Sequence, residues 1–304
     1  MKVLVTGGAG FIGSNIVDML IAGGHAVCIL DNLSSGKREH VNDSATFYEM
    51  DISDDVERSI KDEGIECIIH HAAQVQVRRS IEDPVLDARI NILGSLNLLK
   101  SCPDVKKFIF ASSGGAIYGE PEYNPADESH PTSPLSPYGV SKLAFEKYLY
   151  TYGESYGLDY ISLRYGNVYG PRQDPYGEAG VVAIFANRML KGEPPTINGD
   201  GNQTRDFVYV EDVARANLCA LKKSPKERVI NIGTGIEASV NEIFGSIQKS
   251  LETDITPING PVIKGEVEKI CLDVSRAKKE LDWQSEFSIE SGIGKYLEYL
   301  KSTF

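Results

Sequence analysis

Two stretches of this chain bring together residue types that can move protons and hold anions. The segment Ser136-Pro137-Tyr138-Gly139-Val140-Ser141-Lys142 sets Tyr138 and Lys142 four positions apart, which on a helix puts both side chains on one face. A phenol that titrates near pH ~10 is a poor base at neutral pH. An ammonium about 5 Å away, in an effective dielectric of about 20, is worth roughly 3 kcal/mol, or about two pKa units. That is enough to make the phenol a usable proton acceptor and donor. Upstream, Phe110-Ala111-Ser112-Ser113-Gly114-Gly115-Ala116-Ile117-Tyr118-Gly119 carries hydroxyls at the end of an apolar run. Either Ser112 or Ser113 can hydrogen-bond a reacting oxygen there, and the plainer alternative is a polar strand end. A Tyr/Lys pair at this spacing is common on helix surfaces, so its setting decides its meaning.

The setting begins with the second stretch, Gly7-Gly8-Ala9-Gly10-Phe11-Ile12-Gly13, which follows an apolar run directly and opens a helix. Glycines spaced G-x-x-G-x-x-G permit a tight turn, let the backbone approach a diphosphate and bring the helix close to a sheet. The helix N-terminus then presents free N–H groups and a partial positive charge. Asp31 ends the second apolar run, where a carboxylate can take the ribose hydroxyls of adenosine and repel a 2′-phosphate; NAD is therefore expected over NADP. Lys37 and Arg38 are either phosphate contacts or a solvated charge pair. Asp51 and Ile52 end the third run, where the adenine ring would lie. No cluster of His, Cys, Asp and Glu has ligand spacing, and adjacent His70 and His71 point to opposite faces of a strand, so no metal is expected. His130 is expected in the polar loop before the Tyr138 helix.

The elements that must position these residues alternate. Residues 2–6, 26–31, 45–51, 66–71, 107–112 and 160–165 are compact runs rich in Val, Ile and Phe and predict strands. Residues 12–22, 54–63, 86–101 and 137–156 predict helices. Repeated β-α-β with continuous apolar strands means a parallel sheet with helices on both faces, a Rossmann-type doubly wound α/β fold. Its carboxyl edge, where Ser112 and Ser113 lie, is where open sheets of this kind bind ligands. After Gly170-Pro171 the alternation loosens and Gly and Pro become frequent. The expected organisation is a nucleotide-binding and catalytic domain over 1–168 and a smaller mixed α/β substrate lobe over 169–304, with the segment near 205–235 returning to the first domain.

The whole chain bounds the partners. It has 304 residues, 41% hydrophobic and 24% charged, which excludes disordered and fibrous classes. With 31 basic and 43 acidic side chains the net charge is −12. That argues against nucleic acid or an anionic membrane as partner and requires local devices to hold any anionic ligand. No apolar run reaches the ~18–20 residues of a membrane span. The N-terminus enters a strand at once, with no signal peptide expected. Cys28, Cys67, Cys102, Cys219 and Cys271 are odd in number and widely spaced, as expected for free thiols in a cytoplasmic protein.

Taken in order, Gly7–Gly13, Asp31-Asn32-Leu33, His71-Ala72-Ala73, Asn91, Ser112/Ser113, Tyr138/Lys142, the run Leu163–Pro171 and Arg205-Asp206-Phe207-Val208-Tyr209-Val210 resemble the extended short-chain dehydrogenase/reductase family, and within it the UDP-glucose (UDP-sugar) 4-epimerases. The resemblance covers nearly the whole chain. It implies that C4 of a UDP-sugar gives a hydride to tightly held NAD⁺ while Tyr138 removes the O4 proton. The 4-keto intermediate then turns, and the hydride returns to the opposite face. It implies NAD contacts at Gly7, Gly10, Phe11, Ile12, Gly13, Asp31, Asn32, Asp51, Ile52, Ala72, Ala73, Asn91, Tyr138, Lys142 and Tyr165. Substrate contacts are implied at Ser113, Tyr138, Asn167, Val181, Val182, Arg205, Glu266 and Ile270. A homodimer formed through helices near 86–101 and 138–155 is also implied.

Departures from the family pattern refine this. Related dehydratases follow the strand-end hydroxyl with Asp-Glu, and sugar-acid decarboxylases use a glutamate there. Gly114-Gly115 can do no acid/base work, which leaves chemistry at C4. Counting back from Tyr118 puts the family hydroxyl at Gly114, and counting back from Tyr138 puts it at Ser113; Ser113 is the expected partner and Ser112 the alternative. The usual Arg-x-Gly-[Asp/Glu] reads Ile263-Lys264-Gly265-Glu266, so Lys264 offers a point charge without a bidentate fork. Ile270 stands at the family's gate beside the sugar C2 substituent and should admit an N-acetyl group, unless it is core packing. The alternatives carried forward are a nucleotide-sugar oxidoreductase with net hydride transfer and a non-catalytic NAD-binding relative.

Overall fold

Apolar runs too hydrophobic for one-sided burial fold as strands covered on both faces. In the computed structural model, which describes residues 1–176, 180–262 and 267–303, the first six strands are β1 (Lys2–Thr6), β2 (Ala26–Asp31), the half-exposed edge strand β3 (Thr46–Glu49), β4 (Cys67–His70), β5 (Lys107–Ser113) and β6 (Asp159–Tyr165). Further strands follow at β7 (Asn167–Tyr169), β8 (Thr196–Asn198), β9 (Thr204–Tyr209), β10 (Val229–Ile232), β11 (Glu237–Ser239) and β12 (Ile258–Gly260). Seven of these make one sheet in the order β10-β6-β5-β4-β1-β2-β3, with every pairing parallel. The order reverses between β1 and β4, the switch point where ligands bind in such sheets. The Rossmann-type doubly wound fold expected from the alternation is present.

Alternate residues of each strand feed two layers. Val3, Val5, Ile29, Ile69, Ile109 and Ile161 meet Ile16, Val17 and Leu20 of the helix Phe11–Ala22 and Val213, Ala216 and Ala220 of the helix Val210–Lys222. Leu4, Leu30, Ile68, Phe108 and Phe110 meet Leu98, Phe145 and Leu149 on the other face. A second core is built by the helices Val181–Leu190, Val240–Leu251 and Ile289–Thr303 around Tyr169, Phe207 and Tyr209. β7, β9 and β11 form a small mixed sheet beside it. Downstream of that crossing, β10 joins the edge of the large sheet against β6.

Three differences from the expected helices bear on the site. The helix expected over 86–101 is three pieces, Pro84–Ala88, a π-turn at Arg89–Gly94 and Ser95–Ser101. The wider turn lets Asn91 face inward and brings Gly94 against Ile52, where an added Cβ would lie 2.9 Å from its side chain. A short helix Val77–Glu82 was not anticipated; its charged residues bury only Ser80. The helix expected over 54–63 is confined to Val56–Ile60. By contrast, Pro137–Tyr156 has the bounds read from sequence. Ser136 caps the N–H of Gly139 at 3.2 Å, proline occupies the first turn, and Gly157 ends the helix at φ 73°. All five cysteines are free thiols. Among the described residues no helix is long and apolar enough to cross a membrane.

Candidate active site

The glycine loop is shaped by contacts that exclude side chains. At Gly7 (φ 69°) an added Cβ would lie 2.7 Å from the Ala72 nitrogen, and at Gly13 it would lie 2.1 Å from the Gly7 carbonyl oxygen. The helix starts at Gly10 with no side-chain cap, so its first N–H groups remain for a ligand. Asp31, at the end of β2, accepts from the Ala9 N–H (3.0 Å) and the Leu33 N–H (2.8 Å), locking the loop to the strand end. Each of its oxygens keeps lone-pair capacity for a further donor. Asn32 donates to Asp51 at 2.6 Å. Burial alone would raise the Asp51 pKa, but hydrogen bonds from Ser53 and Asn32 outweigh it and hold this carboxyl below its ordinary value. Ile52 is buried behind it. Lys37 and Arg38 lie near carboxylates, Glu39 at 3.7 Å and Glu49 at 3.8 Å. Such a loop, an uncapped helix start and a strand-end carboxylate fit a dinucleotide with unmodified ribose hydroxyls.

Across the switch point, the helix Pro137–Tyr156 brings half-buried Tyr138 and buried Lys142 to the end of β5. Lys142 Nζ donates to the Ala111 carbonyl at 2.9 Å and lies 4.9 Å from the Phe110 ring centre and 5.8 Å from that of Tyr138. Burial pushes its pKa down to about 8, against the opposing pull of the Asp87 and Glu146 carboxylates. Ser112 and Ser113 face opposite sides of β5. The Ser112 hydroxyl donates to Glu146 at 2.6 Å and is wholly interior, which leaves Ser113 as the strand-end hydroxyl. Gly114 packs so tightly that a Cβ there would lie 2.7 Å from Leu272, while at Gly115 it would lie 3.5 Å from Asn167 Oδ1. Asn167, at the start of β7, thus faces the same strand end.

Other expected residues fall in different places. Asn91 accepts from the Gln74 N–H (2.8 Å) and donates to the Gln74 carbonyl (2.9 Å) and Asp87 (3.0 Å), so its side chain clamps the chain after β4. Ala72 and Ala73 lie on that clamped segment. The Tyr165 hydroxyl is buried between Asn217 (2.8 Å) and His71 Nε2 (3.1 Å). Val182, expected beside the substrate, is wholly enclosed in the second core, whereas Val181 is half-buried. Arg205 Nη1 donates to the Thr204 carbonyl at 2.8 Å. Ile270 is buried with Tyr118, Ala126 and Leu272. Glu266 and its neighbours Ile263, Lys264 and Gly265 lie outside the described residues.

His70 and His71 do face opposite sides. His70 bonds Thr6 (2.7 Å) and Ser95 (2.8 Å), and burial holds it neutral. Burial and then the Lys142 charge bring His71 down to about 3. His130 lies in the loop before the Pro137–Tyr156 helix, as expected, and turns inward there: its Nε2 accepts from the Glu122 N–H at 2.9 Å and its ring meets Tyr118 and Tyr123. Among the described residues no metal-binding cluster occurs. The sequence reading missed the buried network behind the site. Glu146 pairs with Arg164 at 2.9 and 2.7 Å, Arg164 donates to the Tyr118 hydroxyl at 3.0 Å, and Tyr118 donates to Asn231 at 2.7 Å. Glu146 stands four residues after Lys142, the spacing that singled out Tyr138, so that signal was available.

Comparison with known proteins agrees with this architecture. Residues 3–233 match the family model described as the NAD dependent epimerase/dehydratase family. The solved UDP-glucose 4-epimerase of Thermotoga maritima, with UDP-glucose, is 50% identical with a TM-score of 0.97, covering 100% of this chain and 99% of that one. The UDP-glucose 4-epimerase of Thermus thermophilus, in complex with NAD, is 46% identical with a TM-score of 0.93 and full coverage of both chains (100% each). A UDP-N-acetylglucosamine 4-epimerase of Methanobrevibacter ruminantium, in complex with UDP-N-acetylmuramic acid, is 38% identical with a TM-score of 0.93, covering 100% and 99%. On its fold, its loop and these matches, this chain belongs to the NAD dependent epimerase/dehydratase family.

Proposed function

We propose that this chain is an NAD-dependent UDP-sugar 4-epimerase, and that it acts on UDP-glucose/UDP-galactose and also on the UDP-N-acetylglucosamine/UDP-N-acetylgalactosamine pair. The observation that carries the 4-epimerase reading is that Ser113 is followed by Gly114 and Gly115. No acid or base stands at the strand end after Ser113, and Tyr138 is left to move protons alone. A single proton-moving group beside one sugar hydroxyl suits oxidation and reduction at that carbon, and does not suit elimination between neighbouring carbons.

When bound, NAD⁺ supplies a reversible acceptor for the hydrogen on C4 and its electron pair. Gly7, Gly10, Phe11, Ile12 and Gly13 hold its diphosphate and Asp31 its adenosine ribose, with Asn32, Asp51 and Ile52 around the adenine. The Tyr138 Oη takes the proton from the sugar O4 and returns it when C4 is reduced. Lys142 stabilises the Tyr138 phenolate through its charge, and Ser113 hydrogen-bonds the same oxygen. Asn167 and Arg205 hold the diphosphate side of the UDP-sugar. The local N–H groups and Arg205 accomplish this against a net charge of −12.

The wider substrate range rests on the size of Ile270 alone, smaller than the tyrosine of enzymes restricted to plain hexoses, although its side chain is packed in the core with Tyr118 and Leu272. Ile270→Tyr should suppress the acetylated pair selectively; equal loss on both pairs would sink this part of the reading. Two copies are proposed to pair through the helices at 84–101 and 137–156. Exposed Val85, Leu93, Leu135 and Val140 line that face, with a groove of about 470 Å³ bordered by Ala88, Ile92 and Val140. The functional test incubates purified chain separately with UDP-glucose and UDP-N-acetylglucosamine and resolves the products. Epimers should accumulate with no net change in reduced-cofactor absorbance. A stoichiometric absorbance rise would make it an oxidoreductase, and no turnover would make it non-catalytic.

A further inference from the structure

Asp87 is wholly buried, yet its contacts are all neutral donors. Its Oδ1 accepts from Gln74 Nε2 and Asn91 Nδ2, both at 3.0 Å, and its Oδ2 accepts from the Ser141 hydroxyl at 2.6 Å. A carboxylate enclosed in this way is costly to keep charged, and a nearby opposite charge lowers that cost where three neutral hydrogen bonds replace bulk water only in part. Ser141 is the residue before Lys142, whose ammonium is also buried and is anchored on a neutral carbonyl. The other charged groups around Lys142 are accounted for. Glu146, one turn along the same helix, is neutralised by its two-pronged pairing with Arg164 from β6. His70 and His71, from β4, are held neutral by burial. Tyr138 is the group that Lys142 serves. Asp87, tied to the neighbouring Ser141, is therefore the buried carboxylate that acts on Lys142 by its charge and that, among the described residues, forms no direct ion pair with an arginine or lysine.

We propose that Asp87 is a positioning residue for the epimerase reaction, the counter-ion that keeps Lys142 protonated at working pH and fixes the Ser141–Lys142 turn and the Gln74 segment to one another. The proposal rests on the epimerase reading and deepens it. Its physical content is that Lys142, buried and brought down to about 8, would fall further without this carboxylate, and its charge would be lost within the neutral range.

The test uses Asp87→Asn, which removes the charge and can keep every hydrogen bond. The amide oxygen accepts from Gln74 and Asn91, and the amide nitrogen donates to a Ser141 hydroxyl that reverses its role. The alkaline limb of the kcat profile on UDP-glucose should move down by on the order of one pH unit, as loss of a near opposite charge requires. The Lys142 titration, followed by ¹³Cε-lysine NMR in the cofactor-free chain, should move the same way. Ser141→Ala, which removes the bond and keeps the charge, should leave both midpoints in place. A superimposable Asp87→Asn profile with a uniform loss of rate would overturn the proposal, as would equal shifts in the two variants. Failure of Asp87→Asn to fold would assign the carboxylate to the fold and overturn it as well. Wild-type turnover of UDP-glucose is measured first, so failure of the functional reading is distinguished from failure of this inference.

Discussion

Replacing Lys142 by methionine removes one unit charge whose nitrogen lies 5.8 Å from the Tyr138 ring centre and keeps most of the side-chain volume in the interior. At that separation, with an effective dielectric of about 20, the lost attraction for a phenolate is about 3 kcal/mol. That corresponds to roughly 100-fold less ionised Tyr138 at a fixed pH, so kcat on UDP-glucose should fall about 100-fold near pH 7. The deficit should not be constant. Lys142 titrates at about 8 in the wild type, so the wild-type enzyme surrenders the same charge above that pH. The variant's phenol begins to ionise unaided as the pH nears ~10. Initial rates from pH ~6 to ~10 at saturating NAD⁺ and UDP-glucose should therefore converge on the alkaline side. A deficit that stays the same across the range would refute the electrostatic role and reduce Lys142 to a ligand-positioning group.

Three further outcomes follow from the buried charges and the exposed apolar face. Arg164→Met strands the Glu146 carboxylate, which is 3% exposed; unfolding in urea should show a loss of about 3–5 kcal/mol, and a loss below about 1 kcal/mol would contradict the pairing. His71 titrates at about 3 in the folded chain against an ordinary value of 6.5, so the unfolded chain binds the extra proton first. Stability is then present above pH 6.5 and lost as the pH falls toward 3, by up to about 1.4 kcal/mol per pH unit. His71→Leu should flatten that acid-side fall between about pH 6.5 and about pH 4.5, and parallel curves for variant and wild type would be inconsistent with it. Val140→Asp puts a charge on the exposed face of the Tyr138 helix and should give monomers by sedimentation equilibrium; unchanged dimers would remove this face as the interface.

The sequence was most legible where one short-range rule acted alone. The glycine loop was readable because Gly7 and Gly13 meet backbone atoms that no side chain can approach. The Pro137–Tyr156 helix carried its own start and stop signals in Ser136 and Gly157. The choice between Ser112 and Ser113 was not readable locally, since it depends on Glu146 waiting on the opposite side of β5 to take the Ser112 hydrogen bond. The π-turn at Arg89–Gly94 was hidden for a similar reason: Gly94 packs against Ile52, and Asn91 turns inward to clamp Gln74. The loop position of His130 was legible but its burial was not, because the Glu122 N–H and the rings of Tyr118 and Tyr123 meet it only when that loop folds back on itself. Periodicity and caps thus located the elements, while the buried polar partners became visible only once distant segments were packed together.

The most direct measurement follows the C4 hydrogen itself. UDP-glucose carrying deuterium at C4 is incubated with the purified chain in ordinary water, and the UDP-galactose formed is examined by mass spectrometry and NMR. Retention of deuterium at C4 of the product is predicted, because the hydrogen leaves and returns inside a site where Tyr138 exchanges only the O4 proton. Deuterium replaced by hydrogen from water, or UDP-galactose that never forms, would contradict the assignment of this chain as a 4-epimerase.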